Sequence, residues 1–311
     1  MLEKLFSIKA SGSSIKSEVI GGFTTFLTMA YIIFVNPSIL SETGMDYGAV
    51  FVATCLAAAI GCLIMGFWAN YPVALAPGMG LNAFFTYTVV FSMGYTWQTA
   101  LGAVFFSGCI FFLLSAFRVR EWIIKSIPPT LRLAIAAGIG AFLALIGLQN
   151  ANIIVANDAT MVALGELGEP SVLLAAAGFF LIIGLVARGV QGAALISILA
   201  VTFIAWLTGL VDYNGIVSAP PSLAPTFMQM DLAAAFDLGM LSVIFAFLFV
   251  DLFDTSGTLL AVAQKDGLAK ADGHMPRLNK ALMADSTATV AGSMLGTSTT
   301  TSYIESAAGV A

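Results

Sequence analysis

The stretch LSVIFAFLFVDLFDTSGTLLAVA, residues 241–263, has the length and composition of a membrane-spanning helix but contains two aspartates. A helix needs about 20 predominantly apolar residues to cross the hydrocarbon core of a bilayer, and this stretch is long enough. An ionised carboxylate at the centre of such a helix costs about 2.5–3.5 kcal/mol on insertion. Asp251 and Asp254 are therefore candidates for lining a polar cavity, a proton path or a substrate site inside the membrane.

The composition of the whole chain is that of a polytopic membrane protein. Of its 311 residues, 59% are hydrophobic and 9% are charged, whereas a soluble domain averages about 25% charged residues. The net charge is −5 without a basic stripe, so nucleic acid is not an expected partner. No metal site, cofactor or ATP-binding loop is predicted, and we interpret the three cysteines, which lie in apolar runs without metal-ligand spacing, as packing residues: Cys55, Cys62 and Cys109.

Ten apolar stretches predict membrane spans, and the chain ends within the last of them. The spans are predicted at 19–40, 49–69, 72–92, 97–117, 131–149, 171–187, 191–211, 237–263, 281–295 and 298–311. With this assignment every Lys and Arg falls on one side of the membrane, whereas the loops 41–48, 150–170 and 212–236 contain no cation. Because cationic loops stay on the cytoplasmic side, a cytoplasmic N-terminus in the cell (inner or plasma) membrane is predicted.

The third span is predicted to be broken. Its sequence YPVALAPGMGLNAFF, residues 71–85, contains Pro77, Gly78 and Gly80, which interrupt a helix. We expect an extended segment to about Gly80, followed by a half-helix that Asn82 could cap.

The tenth span has the same plan. In GTSTTTSYIESAAG, residues 296–309, the first part is rich in β-favouring and small residues, and a half-helix is predicted to begin near Ser302. Ser302 and Glu305 fit a capping box, in which each side chain bonds the other's backbone N–H. Glu305 is either half of this capping box or a carboxylate that meets N–H donors of a ligand, and one residue can do both.

Two interrupted spans in corresponding positions point to a transporter's binding site. They lie seven spans apart, so the second copy is predicted to be inverted in the membrane. Broken backbone at this depth is tolerated where it is buried in protein or lines a cavity, and half-helix N-termini offer free N–H groups to a polar ligand.

The polar side chains of the spans have functional and structural interpretations. On a helix, Asp251, Asp254 and Thr258 fall on one stripe, and two carboxylates one turn apart favour exchange of a proton. The alternative is that both aspartates lie in water at a cytoplasmic helix end. Asp285 is a candidate for proton coupling or for a local ion pair with Lys280. Thr25 either faces the ligand or bonds back to its own helix.

At these residues the sequence resembles a known family, the AzgA-like guanine/hypoxanthine permeases of the nucleobase–cation symporter-2 (nucleobase–ascorbate) superfamily. The resemblance covers the whole chain and rests on five motifs in order: GGFTTFLTMAYIIFVNP, ALAPGMGLNAFF, FVDLFDTSGTL, ALMADSTAT and GTSTTTSYIESAAGV. It implies the uracil-permease fold, an all-α membrane fold of fourteen spans in two inverted seven-span repeats. Extended segments then interrupt spans three and ten.

The resemblance also implies a domain organisation. Residues 1–117 correspond to the first part of a core domain, residues 118–236 to part of a gate domain, and residues 237–311 to the second part of the core. The chain stops inside span ten, so span eleven and gate spans 12–14 of the family are missing, and we expect residues 1–311 not to transport by themselves. Because relatives form homodimers through the gate, the resemblance also implies a homodimer.

Residue roles follow from the same resemblance. Asp254 in DTSG matches the acidic substrate-binding position of span eight, and Thr258 stands where relatives have a histidine or an acid. Glu305 matches an acid or glutamine of span ten, and the span-three segment around Gly80 and Asn82 approaches the base in relatives. Thr25 replaces a histidine of some relatives, so its predicted substrate contact is the weakest. Proton coupling is assigned to three carboxylates: Asp285, Asp251 and Glu305.

The leading functional hypothesis is a proton-coupled importer of guanine, hypoxanthine or adenine that moves its core against its gate like an elevator. Two carboxylates suit a planar ring with N–H donors and repel an anion, which argues against the runner-up, an anion transporter of the sulfate-permease type. A membrane-embedded aspartate protease is a third hypothesis, but it leaves the two broken spans without a purpose. A passive channel would not need buried titratable groups.

Overall fold

The structure, a computed structural model, describes residues 13–117, 129–157, 159–190, 192–212, 218–265 and 275–310, together with Phe6, Ile8 and Gly215. Several cations that orient the chain lie outside the described residues: Lys4, Lys9, Arg118, Arg120, Lys125 and Lys270. The helices are α1 (Ile15–Met29), α2 (Ile32–Ser41), α3 (Tyr47–Ile64), α4 (Met79–Ala83), α5 (Trp97–Ala116), α6 (Pro129–Asn150), α7 (Pro170–Ala187), α8 (Ala193–Leu207), α9 (Leu238–Lys265) and α10 (Leu278–Leu295).

Shorter elements complete the chain. The segments Met65–Ala69 and Phe84–Ser92 continue α3 and α4 as π-helix, and Ala234–Phe236 and Ile304–Ala308 are 3₁₀ turns. The strands are β1 (Leu75–Pro77), β2 (Ile154–Asn157), β3 (Met161–Leu164) and β4 (Thr300–Ser302).

The chain is a multi-pass, mostly helical membrane protein. Within the described ranges, five helical segments are long and apolar enough to cross a bilayer: Ile15–Ser41, Tyr47–Ala69, Trp97–Ala116, Pro170–Ala187 and Leu238–Ala263. Shorter apolar helices lie at Met79–Ser92, Gly140–Asn150 and Ala193–Leu207. The helical ends lie within a few residues of the predicted spans. Range 298–311 differs, because it holds a strand and one 3₁₀ turn instead of a long half-helix.

Two local features were not predicted. The first span is divided between α1 and α2 by a turn at Ala30 and Tyr31. The loop 150–170 contains an antiparallel hairpin in which β2 pairs with β3, from Ile154 opposite Leu164 to Asn157 opposite Met161. The sequence analysis placed strands only in spans three and ten, so the hairpin is an addition to the predicted fold.

The most polar of the long helices lies at the centre of the structure. The buried face of α10 consists largely of small residues, among them Ala281, Ala284 and Ala288, which are fully buried. Close packing against α5 requires Gly108, since a methyl group there would lie 2.9 Å from a methyl carbon of Val290. The hydroxyls of α10 mostly bond back to carbonyls of their own helix, which lets a polar helix enter a membrane core.

The strands β1 and β4 form an antiparallel pair in the middle of the helices. Leu75 pairs with Ser302, Ala76 with Thr301, and Pro77 with Thr300. All three positions of each strand are buried. The other edge of β1 is occupied by Cys62 of α3, whose thiol donates to the Leu75 carbonyl at 3.4 Å and accepts from the Leu75 N–H at 3.2 Å. This contact supplies partners for a strand edge that would otherwise be unpaired inside the membrane.

Candidate functional site

Each strand of the central pair leads into the start of a helical segment. Pro77 is followed by Gly78, the N-cap of α4, and Ser302 is followed by Tyr303, the N-cap of the 3₁₀ turn Ile304–Ala308. Backbone bonds extend the ladder at both ends, from Gly78 N to Thr299 O at 2.9 Å and from Tyr303 N to Ala74 O at 3.0 Å. Because the strands are antiparallel, the two helical segments leave the pair in opposite directions. Their first N–H groups lie beside it, where they can meet a polar ligand.

Two carboxylates with solvent access lie beside this strand pair. Asp254 of α9 and Glu305 of the 3₁₀ turn are partly exposed, and α9 packs against this turn. Asp254 accepts from the Thr301 hydroxyl through Oδ2 at 3.4 Å, and Glu305 accepts from the Tyr31 hydroxyl through Oε1 at 2.6 Å. Among the described residues, Oδ1 of Asp254 and Oε2 of Glu305 take no hydrogen bond, so each carboxylate keeps an oxygen for a ligand.

Two further carboxylates are buried behind the strand pair. Asp251 of α9 and Asp285 of α10 are 1% and 0% exposed. The Thr255 hydroxyl lies 3.2 Å from Asp251 Oδ1 and 3.0 Å from Asp285 Oδ2. Ser302 of β4 also donates to Asp285 Oδ1, at 3.4 Å. The interpretation of Asp251 and Asp254 as residues of a wet helix end is therefore wrong for Asp251, which is enclosed by protein.

The predicted capping box is wrong. Tyr303 caps the 3₁₀ turn without a side-chain hydrogen bond. The Ser302 hydroxyl donates to Asp285, and the Glu305 carboxylate accepts from Tyr31. Neither side chain therefore bonds the backbone N–H of the other residue, as a capping box requires. Both side chains bond partners from other elements of the structure, which a local motif does not include.

The helix of span three begins earlier than predicted. It starts at Met79, so Gly80 lies in its first turn and Asn82 lies inside it instead of capping it. Asn82 is fully buried and its Oδ1 accepts from the Ser298 hydroxyl, while its Nδ2 has no hydrogen-bond partner among the described residues. A buried amide that lacks an acceptor is costly and calls for a water or a ligand.

The two predicted threonines lie on different helices. Thr258 follows Asp254 by one turn on α9 and is 8% exposed. Thr25 lies on α1, where its hydroxyl oxygen closely approaches Gly309 beyond the 3₁₀ turn. The structure thus places Thr25 against the segment that carries Glu305.

Sequence analysis missed three polar residues of the site: Tyr31, Thr255 and Thr301. Thr255 follows Asp251 by four residues, and this helical spacing was a usable signal. Thr301 was recognised only as part of an extended segment, and nothing in the sequence around Tyr31 connects it with Glu305, 274 residues away. In the part of the chain that the structure describes, no group of three or more His, Cys, Asp or Glu side chains is arranged to hold a metal ion.

Comparison with known proteins gives one family and several close relatives. A family model described as "Permease family" matches residues 16–311. The adenine permease AdeP of Escherichia coli (strain K12) is 53% identical over 310 residues, which cover 100% of this chain and 70% of the relative. The guanine/hypoxanthine permease PbuG of Bacillus subtilis (strain 168) is 48% identical over 322 residues, covering 100% and 73%. The guanine/hypoxanthine permease GhxP of Escherichia coli O157:H7 is 35% identical over 318 residues, covering 100% and 71%.

Proposed function

The chain belongs to this permease family, and on that premise we propose that it imports purine nucleobases together with protons. The resemblance to purine permeases of the nucleobase–cation symporter superfamily is confirmed, and the chain is a transporter rather than an enzyme. Its relatives include both adenine and guanine/hypoxanthine permeases. The proposed substrate class is therefore the purine base, with guanine and hypoxanthine as the first candidates and adenine as another.

The observation that carries the proposal is the difference in access among four carboxylates around one strand pair. Asp254 and Glu305 are partly exposed and each keeps an oxygen for a ligand, whereas Asp251 and Asp285 are buried. A purine base offers several ring and exocyclic N–H donors, which match carboxylate acceptors. An anion such as sulfate would be repelled by the same pair, and this argues against the anion-transporter alternative.

Four further residues complete the proposed substrate site. Gly80 lies in the first turn of α4, where backbone can approach a flat ring. The unpartnered Nδ2 of Asn82 is a donor for a ring nitrogen or for a water bound to it. Thr258 lies one turn from Asp254, and Thr25 lies beside the segment that carries Glu305. We propose that the hydroxyls of both threonines adjust the fit of the purine ring.

Proton coupling is proposed for Asp285, Asp251 and Glu305, with the proton as the coupling ion. Asp251 and Asp285 are buried together, and two ionised carboxylates in a water-poor interior are costly. Uptake of a proton by one of them therefore stabilises the state of the transporter in which both are buried. Glu305 connects the substrate side with the scaffold through Tyr31. Protonation and purine binding would then favour the same state of the transporter.

The proposed architecture extends to the whole transporter. The antiparallel pairing of β1 with β4 supports two inverted repeats related about this strand pair. We propose that residues 1–117 and 237–311 move as a core against a gate that begins with residues 118–236, and that a homodimer forms through the gate. The cytoplasmic N-terminus remains a prediction from the cation distribution.

Purine binding in detergent tests this proposal. It is measured on the full-length protein, meaning a chain that extends over the whole length of its relatives, of which residues 1–311 cover 70–73%. Hypoxanthine, guanine and adenine should raise the melting temperature, while sulfate and bicarbonate should not. Asp254→Asn and Glu305→Gln should each weaken purine binding about 10- to 100-fold, the equivalent of one lost charged hydrogen bond of about 1.5–3 kcal/mol. Asp212→Asn, in an exposed loop, is the matched control and should bind like wild type. Stabilisation by sulfate and not by purines would overturn the proposal.

A further inference from the structure

The Thr255 hydroxyl lies at the centre of more hydrogen bonds than it can donate. Its oxygen is 3.2 Å from Asp251 Oδ1, 3.1 and 3.0 Å from the two oxygens of Asp285, and 2.9 Å from the Thr301 hydroxyl. A hydroxyl has one hydrogen to donate and two lone pairs that accept. It therefore donates either to one carboxylate or to Thr301 at a time, and a hydrogen bond with a remaining group requires that group to be the donor.

This arrangement places an additional proton in the cluster. If Thr255 donates to one carboxylate, the other carboxylate lies 3.0–3.2 Å from a lone pair of Thr255. Such a contact is stable when that carboxyl carries a proton and donates it to Thr255. The cluster is thus complete when Asp251 and Asp285 together hold one acidic proton, in a site where both are buried.

The same hydroxyl continues the network toward the substrate side. Thr255 and Thr301 are 2.9 Å apart, and either can be the donor. Thr301 in turn lies 3.4 Å from Asp254 Oδ2. Two hydroxyls in series thereby join the buried pair to the partly exposed carboxylate that we propose as a purine ligand, and all intermediate atoms are enclosed, with Thr255 and Thr301 0% and 2% exposed.

We infer that Thr255 and Thr301 form a two-hydroxyl relay that carries a proton between the Asp251–Asp285 pair and Asp254. The inference rests on the proposed function and deepens it, because it names the path between the coupling proton and the purine. In one passage, the Thr255 hydroxyl first rotates from the carboxylate to Thr301. The protonated carboxyl then gives its proton to Thr255, Thr255 gives its own hydrogen to Thr301, and Thr301 gives its own to Asp254 Oδ2. One proton has then moved between carboxylates, both hydroxyls are restored, and rotation about their C–O bonds resets them.

The titratable groups around the relay belong to four elements. They are Asp251 and Asp254 of α9, Asp285 of α10, Tyr303 and Glu305 at the 3₁₀ turn, and Tyr31 between α1 and α2. The two tyrosine hydroxyls donate elsewhere, Tyr303 to the Pro77 carbonyl at 2.5 Å and Tyr31 to Glu305 at 2.6 Å. The relay hydroxyls of Thr255 and Thr301 are therefore a direct connection between the buried pair and Asp254.

Removal of one hydroxyl without a change of shape tests the relay. Thr255→Val, Thr255→Ser and Thr301→Val are prepared in the full-length protein and reconstituted in vesicles with a pH-sensitive dye inside. Three quantities are measured: hypoxanthine affinity, hypoxanthine exchange at equal pH on both sides, and hypoxanthine accumulation with proton influx under a pH gradient. Thr86→Val is the matched control, because Thr86 is equally buried but donates to the Ile39 carbonyl, away from the relay.

The expected result separates the relay from a structural role. Thr255→Val should keep hypoxanthine affinity within about twofold and keep exchange, but lose at least about tenfold in gradient-driven accumulation and proton influx. Thr255→Ser, which retains the hydroxyl, should restore both, and Thr86→Val should resemble wild type. If Thr255→Val does not fold, Thr301→Val decides on the same criteria. Normal proton influx with either valine, or loss of affinity that serine does not restore, would overturn the relay. Wild-type protein that binds no purine would instead refute the proposed function itself.

Discussion

Gly21 of α1 should tolerate substitution poorly because Gly309, four residues after Glu305, lies directly against it. A methyl group at Gly21 would be 2.4 Å from the Gly309 carbonyl oxygen. Cβ atoms essentially never come closer than 3.0 Å to another atom, so Gly21→Ala forces the two backbones apart by at least about 0.6 Å, the difference between these distances. The atom in the way belongs to the backbone, so no side-chain rotation relieves the clash.

The size of the destabilisation by Gly21→Ala can be measured against the same substitution at the neighbouring glycine, Gly22. Overpacking of this kind costs about 1–3 kcal/mol. Gly22 lies on the same helix with nothing within 4 Å of the added carbon, and Gly22→Ala should stabilise the helix by about 0.5–1 kcal/mol. Both variants share this gain in helix propensity. The difference between their free energies of unfolding should therefore be about 1–3 kcal/mol, with Gly21→Ala the less stable.

Unfolding in mixed detergent micelles, together with hypoxanthine binding, measures both consequences. Gly21→Ala should unfold more easily than Gly22→Ala, and it should bind hypoxanthine more weakly because Glu305 is displaced with its segment. Gly22→Ala should bind like wild type. Equal stability and equal affinity of the two variants would refute the close approach of Gly21 to Gly309.

Three other substitutions have definite expected outcomes. Tyr31→Phe removes the 2.6 Å bond to Glu305 and should destabilise the protein by about 1.5–3 kcal/mol, measured as the free energy of unfolding. Cys62→Val leaves the N–H and carbonyl of Leu75 without their partner and should cost about 1–3 kcal/mol, of which Cys62→Ser should recover most. Gly296→Ala combines a φ of +99° with a carbon 2.2 Å from Thr226, and about 2–5 kcal/mol or loss of folded protein is expected.

Each of these outcomes has a control within the same chain. Tyr87 donates to Glu42 at an exposed site, so Tyr87→Phe should cost well under 1 kcal/mol where Tyr31→Phe costs more. Gly44 has a φ of +90° with nothing within 4 Å, so Gly44→Ala reports the backbone strain alone. If Gly296→Ala is no worse than Gly44→Ala, the contact with Thr226 is not limiting. If Cys62→Val is as stable as Cys62→Ser, the thiol is not a partner of β1.

The helices were predictable because their apolar length is set by the bilayer. The predicted span 97–117 is found as Trp97–Ala116 and 171–187 as Pro170–Ala187. Composition was enough to predict these helices, since an apolar stretch of this length satisfies its backbone hydrogen bonds in lipid by forming a helix. The short strands in spans three and ten lie where proline, glycine and threonine interrupt the apolar pattern.

The contacts of the site were less predictable because they depend on tertiary partners. Ser302 and Glu305 have the spacing of a local capping box, but Asp285 and Tyr31 compete for them from 17 and 274 residues away. Asn82 has the preference of a helix cap, but burial beside Ser298 decided its place. Local propensity is a weak guide wherever a buried polar group has a charged partner from another helix.

The central strand pair also means that β1 is synthesised well before its partner β4. The hydroxyl of Tyr303, the residue after β4, donates to the Pro77 carbonyl of β1 across 226 residues of sequence. At about 5–20 residues per second, the ribosome needs about 10–45 s to supply the second strand after the first. During that interval the backbone of β1 is in or near the bilayer without its ladder, where each unpaired group costs several kcal/mol. Cys62, which is made before β1, already covers one edge, so the thiol is in place to protect the nascent strand until its partner arrives.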